Sequence, residues 1–365
     1  MTRADDRLPP FRREIGRIAP YRVESPPHER KLNQNESVLE LPDALRATIL
    51  KRLGSLPWRR YPDYPAVRLT ERIARAERLP VDRVLVGHAS NELMYALALS
   101  TLERGRSMLI PTPSYPVARL AALLAGGSVK RVPLGKNFQY DPERILAGIA
   151  RHRPRLVFLP SPNNPTGSVL EREAVDRIAG ATRSLVVIDE AYQEYSEVKL
   201  RPLLDRHRNL VLMRTLSKAY RVAALRIGYL LGDAEVLSHV ERGKPPHSID
   251  LLGQIAGEVI FEYPQFIREE VERVLEQRDW LAGRLHALPG VQVFPSQANF
   301  LLVRVPDAAR AHRALLDGGC LVRPVGAGQG VRTRLRNCLR ISLGTAADNR
   351  AVVRILGRQL EGRSR

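Results

Sequence analysis

Cysteine is nearly absent. The 365-residue chain has only Cys320 and Cys338, too few for a disulfide framework and outside any metal-ligand spacing, which fits a reducing compartment. No run approaches the roughly 18 apolar residues of a membrane-crossing helix. The opening stretch MTRADDRLPPFRREIGR lacks the apolar core of a secretory leader, so a cytoplasmic location is expected and no membrane. Aromatics are scarce, at 5%, while 44% of residues are hydrophobic, so the interior must be built from aliphatic side chains and disorder is excluded.

Lysine and acidic residues are also in short supply. Of 58 basic residues seven are lysine and 51 arginine, against 39 acidic residues, for a net charge of +19. Arginine's planar fork suits phosphate and carboxylate, so an anionic ligand is one reading and an arginine-rich composition of no functional weight is the other. The arginines are spread along the chain instead of gathered into a basic arm, which speaks against nucleic acid.

What is present is a series of short aliphatic runs: DRVLVGHASNE at 82–92, RSMLIPTPSYP at 106–116, RLVFLPSPNNPTG at 155–167, SLVVIDEAY at 184–192 and NLVLMRTLSK at 209–218. Helical stretches such as EREAVDRIAGATR separate them. Continuous apolar runs spaced in this way predict buried parallel strands with crossover helices, an α/β sheet. Ligands of such sheets bind beyond the carboxyl ends of the strands. Here those ends collect Ser90 and Asn91, Tyr115, Asn163 and Asn164, Asp189 and Tyr192, then Thr215, Ser217 and Lys218.

Taken singly, each has a plainer reading. Asn164 in PNNPTG suits a turn, Asp189 an N-cap, and Lys218 solvated surface. Together they match an aldehyde cofactor that carries its own phosphate, pyridoxal 5'-phosphate. A lysine forms its Schiff base and a carboxylate partners its ring nitrogen. GHASNELMYALALS reads as a helix whose first turn can hold the phosphate, with Ser90 and Arg226 adding contacts.

SPNNPTG, DEAY and SKAY followed by LRIGY resemble, in order and spacing, the signatures of fold-type I aminotransferases. APYR at 19–22, KLNQNES at 31–37, RRYPDYP at 59–65, ANFLLVR at 298–304 and LRISLGT at 339–345 resemble the histidinol-phosphate aminotransferase family. The resemblance runs from about residue 19 to 356. It implies a large domain with a mainly parallel seven-stranded sheet flanked by helices, plus a smaller α+β domain.

The resemblance also implies roles. Lys218 is the Schiff-base lysine and proton carrier. Asp189 faces the ring nitrogen, Asn164 and Tyr192 bond the phenolic oxygen, and Tyr115 stacks on the ring. Ala89, Ser90, Asn91, Thr215, Ser217 and Arg226 hold the phosphate, joined by Tyr61 from a neighbouring subunit, which makes the expected protein a homodimer with shared active sites. Tyr21 leans into the partner's substrate pocket. Arg340 grips the anionic end of the amino donor or 2-oxo acid, and Arg323 assists or is a surface arginine. Asn35 lines the pocket or caps a loop.

Residues 1–51 are expected to form an N-terminal arm and part of the small domain, 52–245 the large domain, 246–288 a linking helical region and 289–365 the C-terminal small domain. FIREEVERVLEQRDWLAGRLHAL at 266–288 has the period of a long amphipathic helix, and VQVFP, ANFLLVRV and CLRISLG read as strands of the small sheet.

Some positions depart from the family pattern. Asn91 stands where an aspartate is common, Ala89 and Ala224 where glycines are frequent, and His88 and Arg221 are unexpected. His247 sits where many members face the substrate with an aromatic or aliphatic side chain, as an extra base or simply as a tolerated histidine. The expected reaction is transamination between L-histidinol phosphate and 2-oxoglutarate. The rivals are another aminotransferase, a decarboxylase of phosphorylated amino acids, an oxygen-dependent deaminase, or a basic binding protein that keeps the fold without catalysis.

Overall fold

The computed structural model describes residues 11–12, 15–18, 25–326 and 334–361. In chain order the strands are β1 (Arg30–Leu32), β2 (Val84–His88), β3 (Ser107–Thr112), β4 (Ser128–Pro133), β5 (Leu156–Pro160), β6 (Leu185–Asp189), β7 (Leu210–Thr215), β8 (Ile227–Leu231), β9 (Gln292–Val293), β10 (Phe300–Arg304), β11 (Cys320–Pro324) and β12 (Cys338–Ser342). Each of the five aliphatic runs became one of β2, β3, β5, β6 and β7.

β2 through β8 make a seven-stranded sheet in the order β2-β8-β7-β6-β5-β3-β4. All neighbours are parallel except β8, which runs antiparallel to both β2 and β7. The buried residues of its centre alternate between two apolar clusters. Val157, Leu159, Val186, Ile188, Leu210 and Leu212 belong to one, and Leu156, Phe158, Val187, Val211 and Met213 to the other. A strand covered on both faces has no polar side to show, which is why these runs are continuous. Each such aliphatic side chain contributes about 1.5–3 kcal/mol by its burial. The edge strand β4, SVKRVP, is mostly exposed, so it carried no aliphatic signal.

The second sheet has the order β1-β11-β12-β10-β9. β1 lies parallel to β11, with Lys31 opposite Leu321, which carries the N-terminal segment to the C-terminal part of the chain. The strands read from VQVFP, ANFLLVRV and CLRISLG are β9, β10 and β12. The helix expected at 266–288 spans Gln265–His286 and buries Phe266, Glu270, Val274, Leu281 and Leu285 along one face. Among the described residues no helix is long and apolar enough to cross a membrane.

Candidate active site

A cavity of about 560 Å³ opens where β2, β3, β5, β6 and β7 end, roofed by the segment 31–36 and walled by β11 and β12. Parallel strands bring their carboxyl ends to one rim, so Ser90, Asn91, Tyr115, Asn164, Asp189, Tyr192, Thr215, Ser217 and Lys218 all line it. Arg226 lines it for the opposite reason. β8 is reversed, so its beginning lies at that rim, and Arg226 immediately precedes it.

The anion end is built around the helix Ala89–Thr101, whose first-turn N–H groups have no partner within the helix. Glu92 Oε2 accepts from His88 N–H at 2.7 Å and fixes the helix start. Ala89 adopts φ 60°, the left-handed region that favours glycine, so the alanine keeps the family's bend at some cost in strain. Gly228 allows the approach from the other side: a Cβ there would lie 2.5 Å from Ser90 N and 2.6 Å from the Ala89 carbonyl carbon. Nearby, Thr215 Oγ1 donates to Ser217 Oγ at 2.9 Å and Arg226 Nη1 donates to Ser217 Oγ at 3.3 Å. Tyr115 Oη donates to Asn91 Oδ1 at 3.4 Å.

At the centre, Lys218 Nζ donates to Gln34 O at 3.0 Å and lies 5.9 Å from the Tyr192 ring centroid. Burial, with the charges of Arg340 and Arg226 nearby, lowers its ammonium pKa to about 8. Asp189 is buried and its Oδ1 accepts from Ala191 N–H at 3.1 Å. Burial raises its carboxyl to about 7, against the opposing influence of that N–H and of Lys218. Tyr192 Oη accepts from Asn35 Nδ2 at 3.0 Å and from Asn164 Nδ2 at 3.3 Å.

The far wall carries Arg340 and Arg323, which face each other across β12 and β11. Arg340 is buried; its Nη1 donates to Asn164 Oδ1 at 2.7 Å and its Nη2 to Asn33 O. Arg323 lines the cavity, so the wall arginine reading holds over the surface one.

Several expected site residues stand elsewhere. Asn35 is buried behind Tyr192, where Ser342 Oγ both accepts from Asn35 N–H and donates to Asn35 Oδ1, each at 2.9 Å. It supports the wall through Tyr192. Ala89 turns the chain into the helix and does not line the cavity. His247 does not face this chain's cavity either, which corrects that expectation: its ring stacks on Tyr61 at 5.1 Å and meets Tyr64 at 5.0 Å. Tyr61 is 86% exposed and also lies off the cavity of its own chain. Tyr21 lies outside the described residues.

The sequence reading missed Ser342, Asn33 and Gln34. Period-two alternation from Arg340 on β12 signals Ser342 on the same face. Asn33 and Gln34 act through carbonyls, which no side-chain pattern reveals.

With this geometry in hand, comparison with known proteins gives a family. The model of aminotransferase class I and II matches residues 28–356. The chain belongs to that family. A histidinol-phosphate aminotransferase of Caldanaerobacter subterraneus is 34% identical over 95% of this chain and 97% of its own. One from Chlorobium phaeovibrioides is 37% identical over 91% and 92%. In fold, the chain matches the histidinol-phosphate aminotransferase of Sinorhizobium meliloti, solved in complex with pyridoxal-5'-phosphate, with a TM-score of 0.87, 23% identity and coverage of 98% and 100%. It also matches the L-threonine-O-3-phosphate decarboxylase of Porphyromonas gingivalis, with a TM-score of 0.79, 23% identity and coverage of 91% and 100%.

Proposed function

We propose that this chain is a pyridoxal-phosphate-dependent aminotransferase that moves the amino group of L-histidinol phosphate to 2-oxoglutarate. The observation that carries the reading is one cavity holding an amine of lowered pKa, a buried carboxylate, and two separate arginine-bearing anion ends, at Arg226 and at Arg340 with Arg323.

The residues fit the cofactor. The first turn of the helix Ala89–Thr101, Ser90, Thr215, Ser217 and Arg226 would hold its phosphate, with the side chain of Asn91 near Tyr115. Asp189, raised to about 7 when alone, is an acceptor in need of a cationic partner, which a protonated ring nitrogen supplies. Tyr192 Oη already accepts two amide N–H groups, so its own proton is left to donate to the phenolic oxygen. Tyr115 lines the cavity beside them as the stacking ring. Bound, the cofactor supplies an electron sink for the pair released at the substrate's α-carbon.

The chain's own side chains do the rest. Lys218 takes the α-proton and returns it, and an amine of pKa about 8 can do both near neutral pH. Asp189 stays ionised against the ring nitrogen. Arg340 and Arg323 bind the phosphate of one substrate and a carboxylate of the other. The segment 31–36 and Phe300, whose ring lies under Arg340 at 5.6 Å, close the cavity to water.

The relatives named histidinol-phosphate aminotransferase support this substrate over the rivals. The exposed Tyr61, with Trp58 at 74%, supports a homodimer in which Tyr61 reaches the partner's cofactor. A cytoplasmic setting accords with a phosphorylated metabolite as substrate. The chain divides, on this reading, into an arm at 1–51, a cofactor domain at 52–245, a linking region at 246–288 and a small domain at 289–365.

The test is a single turnover. Cofactor-loaded protein mixed with L-histidinol phosphate alone should lose the cofactor's visible absorption, and 2-oxoglutarate should restore it. No change would remove this substrate, and release of carbon dioxide or uptake of oxygen with other amino acids would favour the rival chemistries.

A further inference from the structure

Three consecutive residues of the cavity roof touch three different functional groups. Asn33 O accepts from Arg340 Nη2, Gln34 O from Lys218 Nζ, and Asn35 Nδ2 donates to Tyr192 Oη. Whatever fixes this run therefore fixes the substrate arginine, the amine and the tyrosine relative to one another. Its upstream end is tied by the pairing of β1 with β11.

The downstream end meets a buried carboxylate. Glu270, fully buried in the helix Gln265–His286, accepts from Ser37 Oγ at 2.7 Å and from Val38 N–H at 3.1 Å, both through Oε1. Its other oxygen lies 3.2 Å from Nε of Arg221, whose side chain is 3% exposed. A carboxylate taken wholly out of water needs a cation or must give up its charge. Arg221 is that cation, and it reaches further: Nη1 donates to Glu40 O at 3.3 Å, Nη2 to Phe266 O at 3.4 Å, and the guanidinium lies 5.5 Å from the Phe266 ring centroid.

Arg221 also closes the turn that carries the amine, since its N–H donates to Lys218 O at 3.2 Å. It does so at φ 61°, where glycine is the residue without penalty. A long cationic side chain in a left-handed backbone position, aimed inward at the only full charge of the neighbouring helix turn that is buried, is not what a plain turn requires.

We propose that Arg221 and Glu270 are positioning residues for the reaction: their ion pair locks the roof segment 33–40 to the turn of Lys218 and so holds Gln34 and Asn35 against Lys218 and Tyr192. The inference rests on the aminotransferase reading for its catalytic consequence, but not for its structural one.

The test compares full-length wild type with Arg221→Gly, Arg221→Lys and Ser37→Ala. Glycine suits the backbone, so Arg221→Gly removes the cation without adding strain. Hydrogen exchange, read with no substrate present, should rise at least about tenfold in amides of 33–40 for Arg221→Gly while the amides of β5, β6 and β7 stay as in wild type. Arg221→Lys, which keeps a cation for Glu270, should return it to within about threefold, and Ser37→Ala, a surface-near change that spares the pair, should raise it about threefold. In turnover, Arg221→Gly should raise the amino donor's KM about tenfold with kcat within about threefold. Unchanged exchange in 33–40, or a rise spread equally over the sheet, would overturn the proposal. Should Arg221→Gly fail to fold, Ser37→Ala decides: exchange at wild-type rates in 33–40 overturns it. A wrong donor assignment would alter only the kinetic arm.

Discussion

Arg340 Nη1 and Asn164 Oδ1 are bonded at 2.7 Å, although 176 residues separate them, and the same amide's Nδ2 donates to Tyr192 Oη. The wall that meets the substrate and the wall that meets the cofactor thus share one side chain. A change at either end is expected to register at the other.

Arg340→Lys tests this sharing. A lysine keeps the charge but loses the planar fork, so it can bind an anion or Asn164, not both. The expected result is a fall in kcat/KM of about a hundredfold, with a several-fold weaker hold on the cofactor. Steady-state kinetics with a cofactor titration checks both numbers.

Tyr192→Phe removes the oxygen on which Asn35 and Asn164 converge and leaves two buried donors facing each other. Buried unsatisfied groups cost about 1–3 kcal/mol, so the cofactor should bind about tenfold or more weakly. Fluorescence titration of the cofactor-free protein measures this directly.

The carboxyl of Asp189 gives a pH signature. Its pKa is about 7 in the folded protein and near 3.8 unfolded, so between these values the folded state holds the extra proton and stability without cofactor falls as pH rises. The shift of about three units sets a ceiling of about 4 kcal/mol. Asp189→Asn should therefore gain in Tm over wild type, without cofactor, as pH climbs from 4.5 to 7, and level off above. A Tm difference flat across that range would contradict the burial argument.

Gly228→Ala places a methyl 2.5 Å from Ser90 N, a separation no real Cβ sustains, so the start of the helix must move. Cofactor affinity should drop at least about tenfold, because the first-turn N–H groups aim at a fixed point. Adding free phosphate should protect wild type from thermal unfolding more than the variant, as scanning calorimetry would record.

Much of this site was legible because buried parallel strands leave an unbroken aliphatic signature and then stop at polar residues. Val187 and Ile188 before Asp189, or Leu212 and Met213 before Thr215, could be read without structure. β4 escaped because an exposed edge need not be apolar. β9 is only two residues long, too short to impose a pattern. His247 was misplaced because a residue beside a motif in sequence can stack away from the cavity, as it does on Tyr61. The Arg221–Glu270 pair was out of reach, since 49 positions part its members and neither lies in a motif that names its partner.

The reversal of β8 has a consequence for how freely the stretch 219–225 can drift. Because β7 and β8 are bonded neighbours, with Thr215 opposite Gly228, the gap between amine and arginine is metered by the spacing of adjacent strands, about 4.8 Å, and not by the contour of the connecting chain. That stretch behaves as slack rope between two fixed posts. It can exchange glycine for Ala224 or take on Arg221 while the distance it spans is left untouched, and so it is a place where this lineage can acquire new contacts without retuning its chemistry.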